Sequence, residues 1–203
     1  GTQMKEFPVC PTLMVCDMSS DIFSRKIQVS NFDLIYAGAQ KNMGPAGTTL
    51  VIIKDEILGK TGRKIPAMLD YTTHISSGSM FNTPPVFPIY VSMLTLEWLK
   101  NLGGVATIEK INQEKADLLY NEIDRNPLFE GTANKEDRSN MNVCFLLTDG
   151  SKEAQFNEMC NEARISGIKG HRSVGGYRAS IYNAMPIQSI QVLVDIMQKL
   201  EKN

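Results

Sequence analysis

Two residues in the first fifty carry the chemistry. Asp17 closes an apolar run at residues 12–16, TLMVC. Lys41 follows a second apolar run that breaks at Gly38, with Gln40 beside it and the turn Gly44-Pro45-Ala46-Gly47 just after. A carboxylate and an amine at strand ends sit where an α/β sheet presents side chains to a ligand. A lysine withdrawn from water loses basicity and becomes a neutral amine able to form a Schiff base. The plain alternatives are a solvated turn lysine and a helix-capping aspartate. If the two strands are neighbours, their spacing of about 4.8 Å sets the side chains either side of a small planar ring. A buried aspartate opposite such a lysine is the requirement of pyridoxal phosphate chemistry. The acid keeps the pyridine nitrogen protonated, and the lysine holds the aldehyde and then relays a proton.

Two further clusters can bind anions. Lys169-Gly170-His171-Arg172, followed by Ser173-Val174-Gly175-Gly176-Tyr177-Arg178, sets several donors around glycines at the entry to a strand. Arginine grips a carboxylate with two parallel hydrogen bonds, and a His/Arg pair beside it can hold a second anionic group. A solvated turn explains the same residues without a ligand. Asn82-Thr83, just before Pro84-Pro85, either cap the helix that follows or donate to a phosphate near its N-terminus.

The positioning elements follow from periodicity. Residues 12–16 and 35–39 read as buried strands, with a short helical segment over 21–27 between them. Ser19 or Ser20 is the better cap for that segment, which leaves Asp17 without a capping role. Residues 48–53 form a third strand, 55–58 a short turn or helix, and 62–82 a long loop carrying Tyr71 and His74. The spacing predicts a helix over 86–102 that is apolar nearly all round, and so buried on several sides or at a subunit contact. Gly103-Gly104 ends it and divides the chain into domains at 1–103 and 104–203. An amphipathic helix over 105–125 stops at Asn126-Pro127, and 130–140 is polar and loop-like. A strand at 142–147, a helix at 151–165 capped by Ser151, a strand at 177–182 and a final helix opened by Pro186 complete a β-α-β-α layer. The fold class is α/β, with a small α+β domain at the C-terminal end.

Bulk composition narrows the function. With 203 residues, 42% hydrophobic and a formal net charge of −1, the chain has a real core and no global field for nucleic acid or an anionic membrane. No apolar stretch reaches membrane-spanning length. Cys10, Cys16, Cys144 and Cys160 show no metal-ligand spacing and read as buried free thiols in a reducing compartment, which points to the cytoplasm.

The four stretches VCDMSSDIFSR (15–25), YAGAQKNMGPAG (36–47), FNTPP (81–85) and GHRSVGGYRASIYNAMP (170–186) together resemble the phosphoserine aminotransferases. These are fold-type I, class V pyridoxal-phosphate enzymes, and the resemblance runs from the first strand to the last helix. It implies that Lys41 is the Schiff-base lysine, Asp17 the pyridine-nitrogen partner, and Gln40 a contact of the cofactor phosphate. It implies that Asn82 and Thr83 reach the cofactor of the other subunit, so that the protein is a homodimer with shared sites. Arg178 would hold the substrate α-carboxylate, and His171 with Arg172 the substrate phosphate or the distal carboxylate of glutamate. The implied reaction is reversible transamination between phosphoserine and 2-oxoglutarate in serine synthesis, and in bacteria also on a phosphorylated hydroxythreonine toward pyridoxine. Nucleic acid and membrane are not expected partners. Family members are longer, and the N-terminal half of their large domain has no counterpart here. The expectation is that this chain by itself holds pyridoxal 5'-phosphate poorly and does not turn over. Another class V enzyme, such as an alanine–glyoxylate aminotransferase or a cysteine desulfurase, and a unit that only folds or dimerises, are the alternatives.

Overall fold

The computed structural model describes residues 1–171 and 175–202. The chain divides into two compact units, Pro8–Asn101, and Leu102–Asn203 together with Gly1–Phe7. The division falls beside Gly103-Gly104, but the first seven residues go with the C-terminal unit. The reason is backbone pairing: Gln3 N–H donates to Asp137 O at 2.8 Å, Ser139 N–H to Gly1 O at 3.0 Å, and Thr2 bridges Arg138.

In the first unit, β1 (Val15–Asp17), β2 (Leu34–Gly38) and β3 (Thr49–Ile53) form one sheet in that order. β1 runs parallel to β2 and β3 antiparallel to it. Asp33 ties the sheet's lower end, accepting from Met14 N–H at 2.7 Å and from Lys54 Nζ at 3.1 Å. The core is small: Met18, Ile22, Phe32, Leu34, Ile35, Ala37, Ala39 and Met43 are buried. The expected helix over 21–27 is a run of turns instead, and the expected long loop contains a short helix, α1 (Tyr71–Ser76). Asp70 nucleates that helix by accepting the Thr72 N–H at 2.9 Å.

The second long element, α2 (Val86–Asn101), departs from expectation in its burial. Only Ser92 and Leu99 are buried, while Phe87 is 70% exposed and Tyr90, Met93 and Trp98 are also open. One narrow stripe of the helix meets its own unit, at the Gly44–Gly47 turn. A Cβ at Gly44 would lie 2.9 Å from Ser92 Oγ, and one at Gly47 would lie 3.0 Å from the Pro88 ring. Glycine is what lets this turn press onto α2.

The C-terminal unit closes its own core. It holds α3 (Val105–Arg125), β4 (Phe129–Gly131), β5 (Asn142–Leu147), α4 (Glu153–Glu162), β6 (Tyr177–Ser180) and α5 (Ile187–Glu201). The sheet β4-β5-β6 is antiparallel throughout, and α3 and α4 both pack on α5. Strand β4, read in sequence as loop, exists through its pairing with β5. Phe129, Phe145, Phe156 and Tyr177 meet edge-on or stacked at 4.8 to 6.3 Å between ring centres. Helix α4 is shorter than expected. Its N-terminal turn is held by Asp149, which accepts from the Ser151 amide at 2.9 Å, so Ser151 is a donor there and not the cap.

Candidate functional site

The site in the first unit is built on two turns that leave the same end of the sheet. β1 and β2 are neighbours, as the planar-ring argument requires, and Asp17 stands in register with Tyr36. Lys41 lies five residues further on, in the turn beyond β2, so it does not face Asp17 across the ladder. The Ala39 carbonyl organises that turn, accepting from Lys41 N–H at 2.7 Å, Gly44 N–H at 2.8 Å and Met43 N–H at 3.1 Å. Ala39, Asn42 and Met43 are buried, and Lys41 between them is exposed. The backbone around the lysine is pinned while its side chain is presented outward. Gln40 is exposed too, and its amide folds back over Gly38, where a Cβ would lie 2.5 Å from Oε1.

Asp17 is exposed in this chain, not buried as the sequence reading required. It does have a turn to hold: Ser19 N–H donates to Asp17 Oδ1 at 2.8 Å. The Ser19 side chain, then the Ser19 amide and the charge of Lys41, hold the carboxyl below the ordinary carboxylate range against the opposing pull of desolvation. The Asp17 charge in turn pushes the Tyr36 phenol up. Asp17 and Lys41 are thus within electrostatic reach of each other.

Asn42 was not singled out in the sequence. It is 4% exposed and donates from Nδ2 to Ile22 O at 3.1 Å, which stitches the lysine turn to the turn after Asp17. Nothing in its local sequence marks it, because its role exists only once the two turns are neighbours.

Asn82 and Thr83 are exposed, ahead of α2. Asn82 Nδ2 donates to Thr83 O at 3.1 Å, and Pro85 occupies the position just before the helix, so neither residue is its cap.

In the C-terminal unit, β6 alternates cleanly: Tyr177 and Ala179 are buried, while Arg178 and Ser180 face outward. Arg178 therefore stands on the sheet face opposite the aromatic core. It lines an open cavity of about 450 Å³ with Arg164, Ser180 and Met185. The loop leading into β6 is closed by Gly170 N–H to Gly176 O and Gly175 N–H to His171 O, both at 2.8 Å. His171 is exposed at the start of that loop, and Arg172 lies outside the described residues.

Of the four cysteines, only Cys160 is buried; Cys16 and Cys144 are half-buried and Cys10 is exposed. That corrects the expectation of four buried thiols. Among the described residues, no group of three or more His, Cys, Asp or Glu side chains can hold a metal ion, and no helix is long and apolar enough to cross a membrane.

Comparison with known proteins places the chain in a family and a fold. The family described as Aminotransferase class-V matches residues 6–193. A phosphoserine aminotransferase of Flavobacterium psychrophilum is 69% identical over 99% of this chain and 56% of its own length. The structure of the phosphoserine aminotransferase from Bacillus circulans subsp. alkalophilus superposes with a TM-score of 0.95 at 40% identity, over 100% of this chain and 56% of that one. A PLP-bound phosphoserine aminotransferase from Trichomonas vaginalis does so at 0.91 and 37%, over 98% of this chain and 57% of that one. The chain spans about half the length of the curated relatives it matches. On its fold and on this match, the chain belongs to the class-V aminotransferase family.

Proposed function

We propose that the protein to which this chain belongs is a phosphoserine aminotransferase, exchanging an amino group between phosphoserine and 2-oxoglutarate with pyridoxal 5'-phosphate as cofactor. The observation that carries this is the pinned turn presenting Lys41, stitched to the turn that holds Asp17. The donor set suits the cofactor, offering an exposed amine for its aldehyde and, within reach of that amine's charge, a carboxyl held in its ionised form for a pyridinium nitrogen. When bound, pyridoxal phosphate supplies an electron-withdrawing ring that stabilises negative charge at the substrate's α-carbon.

Each residue then has a distinct task. Asp17 pairs with the ring nitrogen and keeps it protonated. Lys41 would hold the aldehyde carbon until the substrate's amine takes its place there, and the Nζ so freed would take and return the α-proton. Gln40 is assigned to the cofactor phosphate, and Asn82 with Thr83 to the phosphate of a second subunit's cofactor. A homodimer is supported by the open apolar face of α2, which follows that pair directly in the chain. Arg178, on the outward face of β6, takes the α-carboxylate, and His171 with Arg172 the second anionic group. In this reading the first unit is part of the cofactor-binding domain and the second the small domain. The free thiols and the absence of a spanning helix among the described residues fit a cytoplasmic enzyme.

The test uses the full-length protein. After incubation with pyridoxal phosphate and borohydride, peptide mapping is expected to find the label on Lys41. Phosphoserine and 2-oxoglutarate are expected to yield glutamate, and Lys41→Ala to lose at least about a thousandfold in rate. A label on another lysine, or a preference for a substrate without the phosphate, sinks the assignment.

A further inference from the structure

Ser19 reads in sequence as a helix cap, yet no helix follows it. What it does instead is continue the sheet with its side chain. The β1–β2 ladder ends in Asp17 opposite Tyr36, followed by Met18 N–H donating to Tyr36 O at 2.8 Å. The next amide on β2 facing β1, Gly38 N–H, finds no carbonyl and donates to Ser19 Oγ at 3.1 Å. The same residue's own amide donates to Asp17 Oδ1 at 2.8 Å. One residue therefore grips the acid with its backbone and the end of β2 with its hydroxyl, three residues before Lys41. A hydroxyl that accepts from Gly38 keeps its own proton to give, and the Asp17 carboxylate is the neighbouring acceptor.

We infer that Ser19 is a positioning residue, fixing the Asp17 carboxylate to the end of β2 so that acid and lysine meet a pyridine-ring aldehyde as one rigid pair. This rests on the reading of Asp17 and Lys41 as the partners of the ring nitrogen and the aldehyde. The same bracket keeps the carboxyl ionised, which the pairing with a protonated ring nitrogen demands.

Carboxyl carbon NMR of the 203-residue chain tests the bracket without any cofactor. Ser19→Ala is expected to move the Asp17 midpoint up toward the ordinary carboxylate value, and Ser19→Thr to restore it. A mere plug for the sheet end would leave the midpoint unmoved, and that result overturns the inference. Should the alanine variant give an unfolded spectrum, Ser19→Cys, a weak donor of similar size, carries the same comparison. In the full-length protein, Ser19→Ala is expected to weaken retention of pyridoxal phosphate about tenfold, read from the absorbance of the bound cofactor. Unchanged affinity overturns the positioning role. A borohydride label that misses Lys41 in the wild-type protein overturns instead the cofactor reading, and the Asp17 titration still decides the bracket.

Discussion

The C-terminal unit and residues 8–101 are of similar size but are held together differently. In the first, both long helices bury a full stripe: α5 hides Ile190, Leu193, Val194, Met197 and Leu200 against the aromatic cluster. In the second, α2 is the most apolar helix of the chain and leaves most of that surface open, with two residues of its sixteen buried. The residues proposed for the cofactor sit on the second kind of scaffold. Their geometry is set by hydrogen-bonded turns, through Ala39, Asn42 and Ser19, more than by a large core. Burial governs one unit and hydrogen-bonded turns govern the other.

The strongest way to break that contrast is to make the same substitution in each. Phe156 is fully buried among three aromatic rings, and Phe156→Ala is expected to cost about 3–5 kcal/mol. Phe87 on α2 is 70% exposed, and in the 203-residue chain as a monomer Phe87→Ala is expected to stay within about 0.5 kcal/mol. Urea unfolding measures both, with Trp98 fluorescence reporting on the α2 side. A loss above about 2 kcal/mol for Phe87→Ala would mean that the α2 face is covered in solution.

A polar group inside the C-terminal unit sharpens the contrast next. Lys115 is fully buried on α3, and its Nζ donates to the carbonyls of Tyr182 at 2.8 Å, Ile181 at 3.0 Å and Met185 at 3.1 Å. It clamps the turn between β6 and α5, just beyond Arg178. Lys115→Met strands three acceptors and is expected to cost about 2–3 kcal/mol. Burial pushes the Lys115 pKa from 10.5 down to about 8. Between those values the unfolded chain holds the extra proton, so stability rises with pH from about 8 upward, by at most about 3 kcal/mol. The three carbonyls match the three N–H donors of the ammonium and make the rise smaller than that. Burial pushes the Cys160 thiol up to about 11 and the Tyr120 and Tyr177 phenols up to about 12, which lowers stability over the same range in both proteins. The test in urea unfolding is therefore the difference: wild type should gain on Lys115→Met as the pH rises from about 8, and parallel curves sink the argument.

What was legible in the sequence follows the same division. Helix α3, with its period of apolar residues and its Asn126-Pro127 stop, and strand β5 are local patterns that appear where the sequence puts them, while β6 ends at Ser180, two residues short of the expected 182. Strand β4 was not legible, because three residues become a strand only through the partner they find in β5. Helix α1 was missed since it is polar and depends on one capping aspartate, Asp70. In the candidate site, Asp17 and Lys41 announce themselves by type and position at strand ends. Ser19 and Asn42 do not, because what they do depends on the distance between two turns some twenty residues apart in the chain. The openness of Asp17 was also invisible: an apolar run predicts a buried strand, and burial depends on what lies across it.

The smallest expected effect lies at the acid end of the C-terminal unit. Asp124 accepts from both terminal nitrogens of Arg138, at 2.7 and 2.9 Å, and pairs with Lys135 at 2.9 Å. Arg138 in turn lies over the Tyr120 ring at 4.6 Å, so the guanidinium is fixed before it meets the acid. The hydrogen bonds from Arg138 lead in pulling the Asp124 pKa from 3.8 down to about 2. A carboxyl whose folded pKa is depressed contributes stability above its unfolded value and loses it as the pH falls through the folded one. That places the loss between about pH 4 and pH 2. The full shift corresponds to about 2.4 kcal/mol, and because Asp124 is 31% exposed, water screening reduces the expected figure to about 1 kcal/mol. Arg138→Met should therefore flatten the acid limb of the stability curve while costing about 1 kcal/mol at neutral pH, measured by urea midpoints taken every half unit of pH. If the acid limb keeps its slope in the variant, another carboxylate controls it, and Glu122, 3% exposed and held by Arg125, Asn126 and Gln198, is the one to substitute next.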